Sequence, residues 1–305
     1  MSGTLRRGLI YGVLGVLGFS LTLPMTRLAV AGLDPNLVGL GRALPAALCA
    51  ALLLLATRQP LPTRRYWSRF AWVAGGVVIG FPLLSSLAMR EVTAAHGAIL
   101  TGLAPLATAL GAVLRGRERP PLRFWISAVA GSALVLLFAV HAGAGRLSAA
   151  DGLLLGAVAA VAVGYTEGAL LTREFGAWQV ICWALVLSAP LLAPLLWWLD
   201  WRAALAAPAS AWLGFLYVSA VSMFLAFIAW YRGLALGGIA QVGQVQLLQP
   251  FFTLGFAAIV FGESIEPLLP VCAGGVLVCV ALGLRSRMRP ATVGRLSDAA
   301  RIGDA

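Results

Sequence analysis

Glu167 has the most chemistry to offer in this sequence, because it stands inside the apolar run Gly164-Tyr165-Thr166-Glu167-Gly168. A carboxylate in such a run is costly and asks for a function. If a helix begins near Gly152, Glu167 lies ~22 Å along it at ~1.5 Å per residue. There it could exchange a proton or hold an organic ammonium. The plainer reading is a carboxylate that reaches back to the interface near Arg173. His96 shares a helical face with Leu100 and Leu103 and could relay protons or touch a ligand. It could equally be an interfacial side chain satisfied by a neighbour, and His141, at the end of an apolar run, reads that way.

Gln241, Gln244, Gln246 and Gln249 precede Pro250 in another apolar run. At ~100° per residue Gln246 and Gln249 fall within ~60° of one another, whereas Gln244 points elsewhere. Amides placed in lipid need partners or water, so Gln246 and Gln249 are expected to line a cavity or to bond between helices. Pro105 and Pro250 each free a backbone carbonyl within an apolar run and are expected to kink their helices. Arg27 could pair with a carboxylate ligand or lean outward beside Asp34. Arg42 falls with it near the ends of the first two runs. Tyr165 and Trp230 could wall an aromatic or aliphatic pocket.

Other chemistries have little support. The sequence holds no Walker A, H-E-x-x-H or G-x-S-x-G motif, which argues against direct use of ATP and against an intramembrane enzyme. Cys49, Cys182, Cys272 and Cys279 lie in apolar runs without metal-ligand spacing and read as small hydrophobes. No cofactor and no metal is expected.

The elements that position these groups follow from composition. Of 305 residues 61% are hydrophobic and 11% charged, against ~25% charged in a soluble domain. Apolar runs of roughly 20 residues suit the ~30 Å of a bilayer core. Spans are expected at 8–30, 35–57, 70–89, 93–114, 122–141, 152–172, 178–199, 209–231, 238–261 and 267–285. The run after Arg6-Arg7 is too long for a cleaved signal core and reads as a retained first helix. The net charge of +11 comes from 22 arginines. Seventeen of these fall in segments on the side of both termini, leaving Arg27, Arg42, Arg90, Arg146 and Arg202. That bias places both termini in the cytoplasm and supports an even number of spans. It also removes nucleic acid as a partner, since no basic, aromatic-rich groove accompanies the charge. Trp67, Trp72, Trp125, Trp178, Trp197, Trp198, Trp212 and Trp230 are expected to form an interfacial belt. Residues 286–305 are polar and expected to be disordered.

The chain repeats itself. Gly8-x-x-x-Gly12 recurs as Gly152-x-x-x-Gly156, Pro45 as Pro190, Pro105 as Pro250 and Glu118 as Glu263, at offsets of 144 or 145 residues. Five spans per copy would insert the second copy upside down, with a site near the midplane between the copies.

The stretch from Met89-Arg90-Glu91-Val92-Thr93-Ala94-Ala95-His96 through Pro105-Leu106 to Gly116-Arg117-Glu118 resembles the signature of the EamA family, within the drug/metabolite transporter superfamily. The second copy repeats it from Leu234-Ala235-Leu236 through Gln249-Pro250-Phe251 to Gly262-Glu263, and Arg117 interrupts the Gly-Glu pair of the first copy. The resemblance implies an all-α integral membrane protein with ten transmembrane helices as two inverted five-helix repeats, 8–141 and 152–285. It further implies a central cavity and alternating access, and it assigns no substrate residue. The expectation is therefore a secondary transporter for a small organic solute, an amino acid or related metabolite, working in export. It would lie in a bacterial-type inner (plasma) membrane, with the lipid bilayer and its small-molecule substrate as partners and a homodimer also compatible. A facilitator or exchanger for drugs or metabolites is the alternative.

Overall fold

Leu, Ala, Val and Gly in long runs without a period of two favour helices over strands, and a helix pairs its own backbone where water is absent. The computed structural model describes residues 3–141, 148–194, 201–261 and 268–285, and no β-strand occurs among them. Trp197, Trp198, Glu263 and the tail 286–305 fall outside the described residues.

In the first copy, α1 (Gly3–Ser20) and α2 (Thr22–Val30) form one rod with a break at Leu21. Pro24 has no N–H to bond the carbonyl of Ser20, and Thr253 takes that carbonyl instead, at 2.7 Å. A π turn, Leu37–Gly41, leads into α3 (Ala43–Ala56). α4 (Trp67–Val73) continues through a π segment, Ala74–Gly80, into α5 (Phe81–Ala88). α6 (Ala94–Thr101) and α7 (Ala104–Leu114) are parted at 102–103, and α8 (Leu122–His141) closes the copy.

In the second copy, α9 (Ala149–Phe175) is unbroken and α10 (Ala177–Leu192) carries Pro190. The short α11 (Trp201–Leu205) precedes α12 (Ala209–Tyr217), which passes through a π segment, Val218–Leu225, into α13 (Ala226–Gly237). α14 (Ile239–Gly243), a 3-10 segment (Gln244–Leu248) and α15 (Gln249–Phe261) follow, and α16 (Leu268–Arg285) ends the described chain.

Among the described residues, five stretches are long and apolar enough to cross a membrane: Gly3–Val30, Leu37–Ala56, Arg64–Ala88, Ala149–Phe175 and Ala209–Gly237. Ala104–Leu114, Leu122–Leu137, Ala177–Leu192 and Pro270–Arg285 are apolar but shorter. The prolines explain part of this shortness. Pro105 lies in the first turn of α7 and Pro250 is the second residue of α15, where a missing N–H costs nothing. The expected kinks are therefore interruptions at which a new helix starts.

The two copies interlock by exchange. α1 packs along α13 of the second copy, and α9 packs along α5 and the π segment Ala74–Gly80 of the first. α3 meets α10 and α8 meets α16, each pair joining equivalent positions of the two copies. Without a hydrophobic drive between helices in lipid, such seams depend on close contact of small residues. A Cβ on Gly8 would lie 2.8 Å from the backbone nitrogen of Gly237, and one on Gly233 2.7 Å from that of Gly12. Gly152, the counterpart of Gly8 in the sequence repeat, has nothing within 4 Å. The matching close approach in the other seam falls instead at Gly76, whose Cβ would meet the backbone of Ala160 and Gly164. The tryptophan belt also needs correction. Trp67 and Trp72 are exposed, but Trp230 is 0% exposed and packs in the interior against Phe19 and Tyr165.

Candidate functional site

Every interruption of the helices comes to one place. A central cavity is lined by Phe19 and Thr22 beside the α1–α2 break, Arg42 after the π turn, and Val77 and Phe81 at the first π segment. Thr101 and Ala104 flank the α6–α7 gap, Ser222, Met223 and Phe227 lie at the second π segment, and Gln246 and Gln249 come from the α14–α15 break. Val161 and Tyr165 come from α9, whose helix carries no break. Non-α backbone at membrane depth is tolerated where it borders protein or a cavity, and π turns gather at functional sites.

The cavity is bounded by both copies. Thr22 and Ser222 hydrogen-bond across it at 2.8 Å. Gln246 donates through Nε2 to the Tyr165 hydroxyl at 3.3 Å, and its Oε1 has no hydrogen-bond partner. The 3-10 turn before Pro250 brings Gln246 and Gln249 to one face, because side chains three apart eclipse in that geometry. Gln244 faces away, against the backbone of Gly283 on α16. Behind Tyr165 stand Phe19, Phe227 and Trp230, with ring centroids 5.3–6.2 Å from it. Trp230 therefore backs the wall without lining the cavity. The enclosed space is about 30 Å³. That holds a water or two and is far below the ~300 Å³ at which ligand pockets begin. The site is closed in this conformation.

Arg42 is the cavity residue that the reading of the sequence left without a role. It is 1% exposed, and its Nε and Nη1 have no hydrogen-bond partner. Its place in Gly39-Leu40-Gly41-Arg42 was visible in the sequence. Its isolation is a tertiary fact.

Glu167 does not reach the cavity. Two residues from Tyr165, it projects from the opposite face of α9 into an open groove of about 640 Å³ between α7 and α9, beside Trp72, Leu110 and Leu114. There Oε2 accepts from Arg69 Nε at 3.2 Å and Oε1 accepts from Arg115 Nε. The Glu167 carboxylate raises Arg115 above the usual guanidinium pKa through that hydrogen bond. Trp72, Leu110, Leu114 and Val163 are exposed large apolar groups of the kind that face lipid. We therefore place the site at the central cavity rather than in the groove.

His96 and Arg27 also lie outside the cavity. His96 Nε2 pairs with Asp151 Oδ1 at 2.5 Å, joining the start of α6 to the start of α9. Asp151 also accepts from the Ser148 backbone as part of a capping box. Ser148-x-x-Asp151 is legible as a helix start, but its histidine partner is not. Arg27 is exposed and donates to the carbonyl of Val92, while Asp34 accepts from the backbone of Asn36 and Leu37. Glu118 caps α14, its two carboxylate oxygens accepting from Ile239 and Ala240 N–H at 2.9 Å each. The His96–Asp151 pair and the Glu118 cap tie the first copy to the second.

The division into two copies is also found by comparison with known proteins. The sequence model of the EamA-like transporter family matches residues 6–140 and again 148–285. A protein of Bacillus subtilis (strain 168) named as the uncharacterized transporter YdeK is 48% identical over 280 residues, which is 91% of this chain and 97% of that protein. One solved crystal structure superposes with a TM-score of 0.69 at 19% identity, over 90% of this chain and 97% of its own. At that identity it speaks for the fold alone.

Proposed function

Because the chain belongs to the EamA-like transporter family, we propose that it moves a small organic solute, an amino acid or related metabolite, by alternating access. The proposed direction is export, across ten spans with both termini on the cytoplasmic side, as the arginine bias favours. One observation carries this reading: breaks in both copies, including the two π segments, converge on one closed cavity between the copies. Broken helices at the interface of repeats suit a substrate site that rocks between two faces.

In the proposed cycle, bonds between the copies act as the closures on either side of the cavity. Toward the arginine-rich end these are Glu167 with Arg69 and Arg115, and Glu118 with the start of α14. At the other end stands His96 with Asp151. Opening toward one side needs one set released while the other holds. No carboxylate or imidazole occurs among the cavity-lining residues, so Glu167 and His96 enter the proposal as closures and not as substrate ligands.

The test is a counterflow screen of the purified chain in liposomes against amino acids and other metabolites. Saturable flux of at least one is expected. Folded protein that carries no organic solute would sink the transporter reading.

A further inference from the structure

We propose that Arg42 is the anion anchor of the central cavity, and that the solute carries one carboxylate. This deepens the transporter reading, on which it rests for the passage of the solute but not for its binding.

The guanidinium is 1% exposed, and two of its nitrogens lack any hydrogen-bond partner. Among the described residues, no carboxylate lines the cavity. Glu167 faces the groove with its own arginines, and Asp151 is held by His96 and the Ser148 backbone. A buried guanidinium stays charged, and an unpaired charge at membrane depth calls for a counter-charge or water. The enclosed volume leaves room for little besides water in the closed state. A carboxylate entering as the cavity widens would meet N–H donors whose planar fork fits its two oxygens.

The other groups fix what else the solute can carry. Gln246, which also lines the cavity, has a buried Oε1 acceptor without a partner, and it suits an N–H donor on the solute. Phe19, Phe81 and Phe227 make the remaining wall apolar. Arg42 is the lone cation among the lining residues, so one anionic group is balanced and a second is not. An organic cation would face the guanidinium with nothing to offset it, and the site should reject it.

The test uses matched probes and the full chain. Thermal stabilisation of the detergent-purified protein is measured with acid and amide pairs, acetate against acetamide, phenylacetate against phenylacetamide and leucine against leucinamide, and with phenethylamine. At least one acid is expected to bind tenfold or more tightly than its amide, with phenethylamine inert. Arg42→Gln should remove that preference while melting without ligand no lower than wild type, because it deletes an unpaired charge. Arg42→Lys should restore part of it. If no acid outbinds its amide, or if Arg42→Gln keeps the preference, the anchor is wrong. If Arg42→Gln fails to fold, the Arg42→Lys protein and the wild-type acid-to-amide ratio still decide. Acid preference in binding with no flux of any solute in liposomes would keep the anchor and sink the transporter reading. Flux of amides or amines with no acid preference would do the reverse.

Discussion

Glu167→Gln keeps the shape of the side chain and removes the charge that holds two arginines. The Glu167 side chain is 5% exposed, that of Arg69 24% and that of Arg115 61%. The Arg115 pair is therefore screened and worth about 0–1 kcal/mol, whereas the Arg69 pair falls in the range of ~1.5–3 kcal/mol for bonds to charged groups. Glutamine retains one carbonyl acceptor, so the net loss is ~1–2 kcal/mol. Such a loss in the closed form moves the equilibrium toward opening at that end by roughly 5–30-fold. The readout is alkylation of Ser222→Cys, a cavity position, after replacement of Cys49, Cys182, Cys272 and Cys279. A membrane-impermeant maleimide applied from the arginine-rich side should react roughly 5–30 times faster in the Glu167→Gln protein. Unchanged alkylation with intact melting would refute the closure. A flattened pH profile of transport with unchanged alkylation would return Glu167 to a direct role in coupling.

The other expectations come from the same contacts. Gly8→Ala sets a Cβ 2.8 Å from backbone and should lower stability by ~1–3 kcal/mol. Its sequence counterpart, Gly152→Ala, meets nothing within 4 Å and should be neutral or gain up to ~1 kcal/mol; equal melting shifts for the two would refute the seam. Glu118→Ala strands two N–H groups at the start of α14 and should cost ~2–4 kcal/mol, read as a loss of melting temperature. His96→Gln should speed alkylation of Ser222→Cys from the side opposite the arginine-rich end, and an unchanged rate would remove the pair with Asp151 from the closure.

Much of the fold was legible because the signals were local. Pro105 and Pro250 mark where helices begin anew, and the apolar runs bound the rods within a few residues. The π segments were not legible, since Ala74–Gly80 and Val218–Leu225 have compositions like the α-helix around them. Part of the site could have been read further. Tyr165 and Glu167 are two apart on a helix, and such residues do not share a face, so one cavity could never hold both. Gln246 and Gln249 could be placed together because a spacing of three survives in α and 3-10 geometry alike. Arg42 was missed for a different reason. Sequence position gives approximate depth, but the absence of a partner depends on which faces α3, α9 and the α14–α15 break present to one another.

The position of α9 connects these results. Its first turn carries Asp151 to His96, its far half carries Glu167 to Arg69 and Arg115, and between them Tyr165 lines the cavity. It is also the one cavity-lining rod without a break. Asp151 and Glu167 are sixteen residues apart on this helix, which turns their side chains about 160° from one another around its axis, so each closure is made on its own face of α9. Each closure can thus be released without the other. Weakening either closure should therefore change access from its own side most, and the double variant Glu167→Gln/His96→Gln should leak from both. If each single variant opened both sides equally, the two closures would have to be coupled through α9.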